Sequence, residues 1–122
     1  MDNKNKIRWL RFFEQLVKSK EKERNLFRAK VKNYRAFEMD DLAEEFEYRI
    51  SDLEMEIEAM YQERARLIQL IDMIEDPKGK TIIRMRDVDG LSWNEIAYHF
   101  AESVRNLQLA RKRALETISR AL

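Results

Sequence analysis

The sequence predicts an all-α protein, with long N-terminal helices forming a coiled-coil hairpin and a unit of three shorter helices after them. Three observations carry this. Chain breakers are scarce: 122 residues hold 2 Gly and 1 Pro, against 39% charged and 44% hydrophobic residues, a balance that favours helix over sheet and loop. From Met39 to Ile74 apolar residues recur in alternating steps of four and three, the signature of a heptad seam. Asp76-Pro77 is the one clear boundary, because proline is disfavoured inside a helix but suits its first position. The boundary divides the chain into an assembly region, residues 1–76, and a domain, residues 77–122.

Residues 1–6 show no pattern and are expected to fray. Ile7 to Val17 follows, dense in large side chains: Trp9, Leu10, Phe12, Phe13, Leu16 and Val17. These cover more than one helical face, so much of this helix should be buried. Lys18 to Asn25 is polar throughout. Its Lys and Glu residues lean toward continuous helix; a break between two helices is the alternative. Helical spacing resumes from Leu26 to Phe37 with Phe27, Val31 and Tyr34. The run Phe37–Asp41 reads as a helix end and a new start, with Asp40 as a cap.

The seam consists of Met39, Ala43, Phe46, Ile50, Leu53, Ile57, Met60, Arg64, Leu67, Ile71 and Ile74. Arg64 is its one charged member; a charge there fixes register, or else snorkels outward with no specific role. Two partners can fill the other side: the helix Leu26–Phe37 folding back, and the same helix of a second molecule. Tyr48, Met55, Tyr61, Ile68, Leu70 and Met73 extend the apolar surface beyond the seam. One hairpin is too small to cover all of it, so both are expected, hairpin first and dimer second.

Past Asp76, a helix is expected from Pro77 to about Val88, ended by Asp89-Gly90 with Gly90 free to turn left-handed. Ser92 lies three residues before Glu95, the spacing of a capping box. A short helix then runs to Phe100. Ala101 and Glu102 make a turn, and Ser103 caps a last helix whose inward face is Leu107, Ala110, Ala114 and Ile118. Its outward face carries Arg105, Gln108, Leu109, Lys112 and Arg113, with Asn106 at the edge. A short helix bracing a longer basic one is the geometry of a helix-turn-helix in the DNA major groove.

The string GLSWNEIA, a short turn, and a helix reaching RKRAL, all preceded by EDPKGKTIIRMRDVDG, resemble region 4 of bacterial sigma factors. The long charged helices before it resemble, in general character, the sigma-like phage late-transcription regulators of the ArpU and RinA type. The resemblance covers roughly residues 75–122 and implies a promoter-binding regulator that touches RNA polymerase. The chain departs from the family pattern at the turn, where the usual glycine is Ala101 and the usual apolar residue is Glu102.

Charge is segregated. Residues 1–37 carry 12 basic and 4 acidic groups, residues 38–76 carry 3 and 14, and residues 77–122 carry 9 and 5. The first two segments are expected to pair, leaving the third to keep its positive charge for an outside partner. Double-stranded DNA is the expected ligand. Arg105 matches a guanine edge, Gln108 an adenine and Leu109 a thymine methyl; Lys112 and Arg113 suit phosphates, and Ser103 and Asn106 add contacts near the helix start. The rival reading is a protein-interaction module. No catalytic constellation can be assembled around the single histidine, His99, and without cysteine there is no thiolate site, so no enzyme, cofactor or metal is expected. No apolar run is long enough for a signal peptide or a membrane span, and a cytoplasmic protein is expected.

Overall fold

The computed structural model describes residues 2–120, and among these every regular element is helical. The helices are α1 (Asn3–Trp9), α2 (Phe13–Ala36), α3 (Asp40–Asp72), α4 (Pro77–Ile83), α5 (Trp93–Phe100) and α6 (Val104–Arg120). A 3-10 turn over Leu10–Phe12 links α1 to α2, and a π turn over Arg84–Val88 extends α4. The start of the chain is more ordered than its sequence suggests. Asp2 caps α1, its carboxylate accepting the Asn5 N–H at 2.8 Å, so the helix begins at Asn3 and does not fray through residue 6.

The chain divides into two compact units, residues 14–63 and residues 1–13 with 64–122. The first is an antiparallel hairpin of α2 with the first part of α3. Lys18–Asn25 is unbroken helix. Lys20 pairs with Glu56 at 2.6 Å, Arg28 with Glu54 at 2.7 Å and Arg35 with Glu47 at 2.9 Å, so the basic and acidic segments lie against each other as their charges suggest. Between the helices Phe46 packs on Phe27 and Tyr34, with ring centroids 5.1 and 5.7 Å apart. The turn is a left-handed cap: Glu38 has φ 58°, and the Met39 N–H reaches back to the Tyr34 carbonyl at 2.8 Å, as in a Schellman motif. Asp40 is the first residue of α3, not its cap. The carbonyl of Met39 accepts the first helical bond, from Ala43.

The second unit has two apolar clusters. Ile7 and Leu10 from the N-terminal segment meet Leu67 and Ile71 from the end of α3, Ile74 just past it, Ile83 at the end of α4, and Ala114, Leu115 and Ile118 of α6. Ile82, Ile96 and Leu107 form the other, with Met85, Leu91, Trp93, Ala97, Phe100 and Ala110 packed around them. Asp76-Pro77 is therefore a break between helices but not between cores. Three short helices have too little apolar surface to bury the inner face of α6, and α1 and the end of α3 cover the remainder. Asp76 does cap α4, accepting the Lys78 and Gly79 N–H groups at 3.3 and 3.2 Å. Gly79 permits a close approach of α4 and α6: a Cβ there would lie 2.7 Å from the Ala114 Cβ.

The seam is thus shared between two settings. Ala43, Leu53 and Ile57 are buried in the hairpin unit, where Phe46, Ile50 and Met60 are half-buried, and Leu67, Ile71 and Ile74 are buried in the second unit. Arg64 lies with its guanidinium 5.4 Å from the centroid of the Phe13 ring. Half-buried there, it does not point freely outward.

Candidate nucleic-acid interface

The local sequence builds α5 and α6 as a rigid pair. The capping box at the start of α5 is complete: the Glu95 N–H donates to Ser92 Oγ at 3.1 Å, and the Ser92 N–H donates to the Glu95 carboxylate at 3.3 Å. Upstream, Gly90 is left-handed at φ 73°, and the Leu91 N–H closes back on the Met85 carbonyl at 2.9 Å. The turn into α6 keeps the left-handed geometry that glycine normally supplies. Ala101 has φ 52° and ψ 40°, and the Glu102 N–H donates to the Ala97 carbonyl at 3.3 Å. An alanine there carries about 1–2 kcal/mol of backbone strain. Glu102, in place of an apolar residue, forms an ion pair with Lys78 of α4. Its negative charge is thereby matched within the protein. Ser103 then caps α6, accepting the Asn106 N–H at 3.2 Å.

Ser103, Arg105, Asn106, Gln108, Leu109, Lys112 and Arg113 are all exposed, at the cap and along the outward side of α6. Arg105, Gln108, Leu109 and Lys112 follow one side of the helix, Asn106 and Arg113 lie at its edge, with Arg113 beside Ile74 and Ala114, and Ser103 is the cap. Among the described residues Arg105, Lys112 and Arg113 have no ion-pair partner. Glu116, half-buried, is the acidic residue one turn beyond Lys112.

The remaining basic residue between Ser103 and Arg113 behaves differently. Arg111 makes a two-pronged pair with Asp87, Nε to Oδ2 at 2.9 Å and Nη2 to Oδ1 at 2.7 Å. Asp87 is fully buried. The π turn carries this carboxylate, and the pair locks α6 to it. Neither residue stood out by type. The signal was positional: Asp87 follows Ile83 by four residues, and Arg111 lies four from both Leu107 and Leu115, so opposite charges sit inside two apolar stripes. Leu115, fully buried, belongs to the inward face beside the four residues expected there.

Arg86, next to Asp87, donates to the Leu91 carbonyl at 3.0 Å and lies 5.3 Å from the centroid of the Trp93 ring. Trp93 is half-buried against the second apolar cluster. His99 is exposed, its ring edge-on to Phe100. Among the described residues no group of three His, Cys, Asp or Glu is placed to hold a metal ion, and no helix is long and apolar enough to cross a membrane. The fold and this face define an all-α protein with an exposed cationic helix. Compared with known proteins, the chain matches no family model, no curated protein and no solved structure.

Proposed function

We propose that this chain is a sigma-like DNA-binding transcription regulator, phage-derived and cytoplasmic, that acts at a bacterial promoter and touches RNA polymerase there. The observation that carries the reading is the pair α5 and α6. A left-handed turn joins a short capped helix to a longer one whose outward cations lack internal partners, the arrangement by which a helix-turn-helix enters the major groove. Arg105, in the first turn of α6, reaches a guanine edge; Gln108 and Leu109 read adenine and a thymine methyl. Lys112 and Arg113 neutralise phosphates, and Ser103 and Asn106 add contacts at the start of the helix.

Assembly belongs to the same proposal. Leu26, Phe37, Tyr48 and Met55 are strongly exposed on the hairpin. A second copy covers them, giving a dimer through α3 and the aromatic N-terminal helix.

The test is fluorescence anisotropy over a salt series, with a selected duplex and a scrambled control. Arg105→Ala should cost about 1–3 kcal/mol on the selected site and much less on the scrambled one. Lys112→Ala should weaken both nearly equally and lower the salt slope by about one ion. Wild-type protein binding no duplex tighter than about 10⁻⁴ M rules the DNA reading out. A protein-interaction module then takes its place. The exposed Tyr98 of α5 and Leu109 of α6 favour that second reading, and a lysate pull-down with and without nuclease separates the two.

A further inference from the structure

Three guanidiniums, those of Arg11, Arg86 and Arg111, come together in the second unit around the carboxylate of Asp87. Arg111 comes from α6 and is committed to Asp87. Arg86 comes from the π turn. Arg11 comes from the 3-10 turn over Leu10–Phe12, which packs on the π turn. The guanidinium of Arg86 is held below its usual range, first by burial and then by repulsion from Arg11; Asp87 opposes this and Arg111 adds to it. Around Arg86 the positive groups of Arg11 and Arg111 face the one negative group of Asp87, which Arg111 already pairs. Arg11 is exposed, lies 4.8 Å from the centroid of its neighbour Phe12 and has no ion pair among the described residues.

A folded chain gains nothing by gathering like charges. The arrangement makes sense if an outside anion completes it. Its location narrows the anion. Arg86 is fixed at the entrance to α5 by the Leu91 carbonyl and the Trp93 ring. Arg111 lies on the border of the exposed face of α6, three residues from Gln108 and adjacent to Lys112. The cluster therefore runs from the flank of α6 to the N-terminal end of α5. In helix-turn-helix docking the first helix crosses the DNA backbone, which lays phosphates along that end.

We propose that Arg11 and Arg86 form a second phosphate contact on duplex DNA, outside the α5–α6 pair. The interface then draws on a distant part of the chain, with Arg11 supplied by a segment about eighty residues before the first helix of the pair. This inference rests on the DNA reading above. Arg86 is the inner member, oriented by its bond to Leu91; Arg11 is the outer one. Both act on phosphate and carry no sequence information.

The experiment uses the full chain, the same duplexes and the same salt series. The variants are Arg11→Gln, Arg86→Gln, Arg86→Lys and, as a control, Lys22→Gln on the exposed side of α2 in the hairpin unit. Arg11→Gln and Arg86→Gln should each reduce the salt slope by about 0.9, the value for one phosphate neutralised. They should weaken selected and scrambled duplex by the same factor. Arg86→Lys should keep the slope, and Lys22→Gln should leave slope and affinity unchanged. A thermal melt identifies any variant that fails to fold; if Arg86→Gln does, the exposed Arg11 carries the decision alone. Wild-type binding with an unchanged slope in Arg11→Gln, or an equal loss in Lys22→Gln, overturns the second contact and leaves the DNA reading standing. No wild-type binding to any duplex overturns both.

Discussion

The hairpin and the second unit solve the burial problem in opposite ways. In the hairpin, residues 14–63, large side chains face one another across two helices. Phe27, Tyr34 and Phe46 fill the gap, and the buried residues are Val17, Ala43, Leu53 and Ile57. A single layer of two helices leaves one side of each open, and so Leu26, Phe37 and Met55 stay exposed. In the second unit backbones come close, as Gly79 and Ala114 show. Helices from both ends of the chain then enclose Ile7, Leu67, Ile71, Ile82, Ile83, Ile96, Leu107 and Leu115 completely. The difference teaches that a regular heptad pattern does not locate the densest core. The same seam runs through a thin layer in one unit and a closed one in the other.

The comparison can be broken most forcefully at Asp87. Asp87→Ala leaves Arg111 without its partner at a mostly enclosed site, and should cost about 3–5 kcal/mol. Urea unfolding reads this directly. A double variant, Asp87→Ala with Arg111→Leu, should recover a large part of the loss, because it removes the stranded charge.

Truncation along the seam sharpens the contrast between the layers. Ile71→Ala and Ile57→Ala both fall in the range of about 2–5 kcal/mol for buried aliphatic side chains. Ile71, fully buried among α1 and α6 residues, should lie near the top of it. Ile57, with a thinner cover, should lie near the bottom, since its surroundings can collapse. Equal losses would mean that the hairpin layer is as closed as the second unit.

Ala101→Gly tests the turn of the second unit. Removing the Cβ relieves left-handed strain of about 1–2 kcal/mol, and the added backbone freedom of glycine returns about 0.5–1 of it. A rise in melting temperature of a few degrees is expected. The smallest effect belongs to the surface of the hairpin. Lys20→Ala breaks the exposed pair with Glu56 and should cost about 0.2–1 kcal/mol, less in high salt. A larger cost would show that the ion pairs, more than the aromatic layer, hold the hairpin.

Much of this architecture was legible in residue order. Pro77 after Asp76, Ser92 before Glu95 and the four-three spacing of the seam each act locally, and each structural counterpart is present. The basic face of α6 was legible for the same reason, because one helix sets its own periodicity. What stayed hidden depends on partners distant in the chain. Nothing near Ile7 or Leu10 says that they meet Leu67 and Leu115. Arg111 reads as one more surface cation until Asp87 is opposite it. At Ala101 the residue type argued against a left-handed turn, and tertiary context overrode that preference.

The make-up of the first apolar cluster has a consequence for the order in which the molecule is completed. Its members include Ile7 and Leu10, which are translated before the hairpin, and Leu115 and Ile118, which are translated after it. The hairpin closes over a short stretch of chain and can form while synthesis continues, since loop closure is favoured when the ends are near in sequence. The other unit has to wait. Until α6 emerges, the apolar face of α1 is covered only by Leu67, Ile71, Ile74 and Ile83, and a chain stalled before Leu107 would display the part that α6 covers. Nascent chains truncated at that point should therefore be cleaved more readily within residues 1–13 while the hairpin resists, and chains that include α6 should lose that sensitivity.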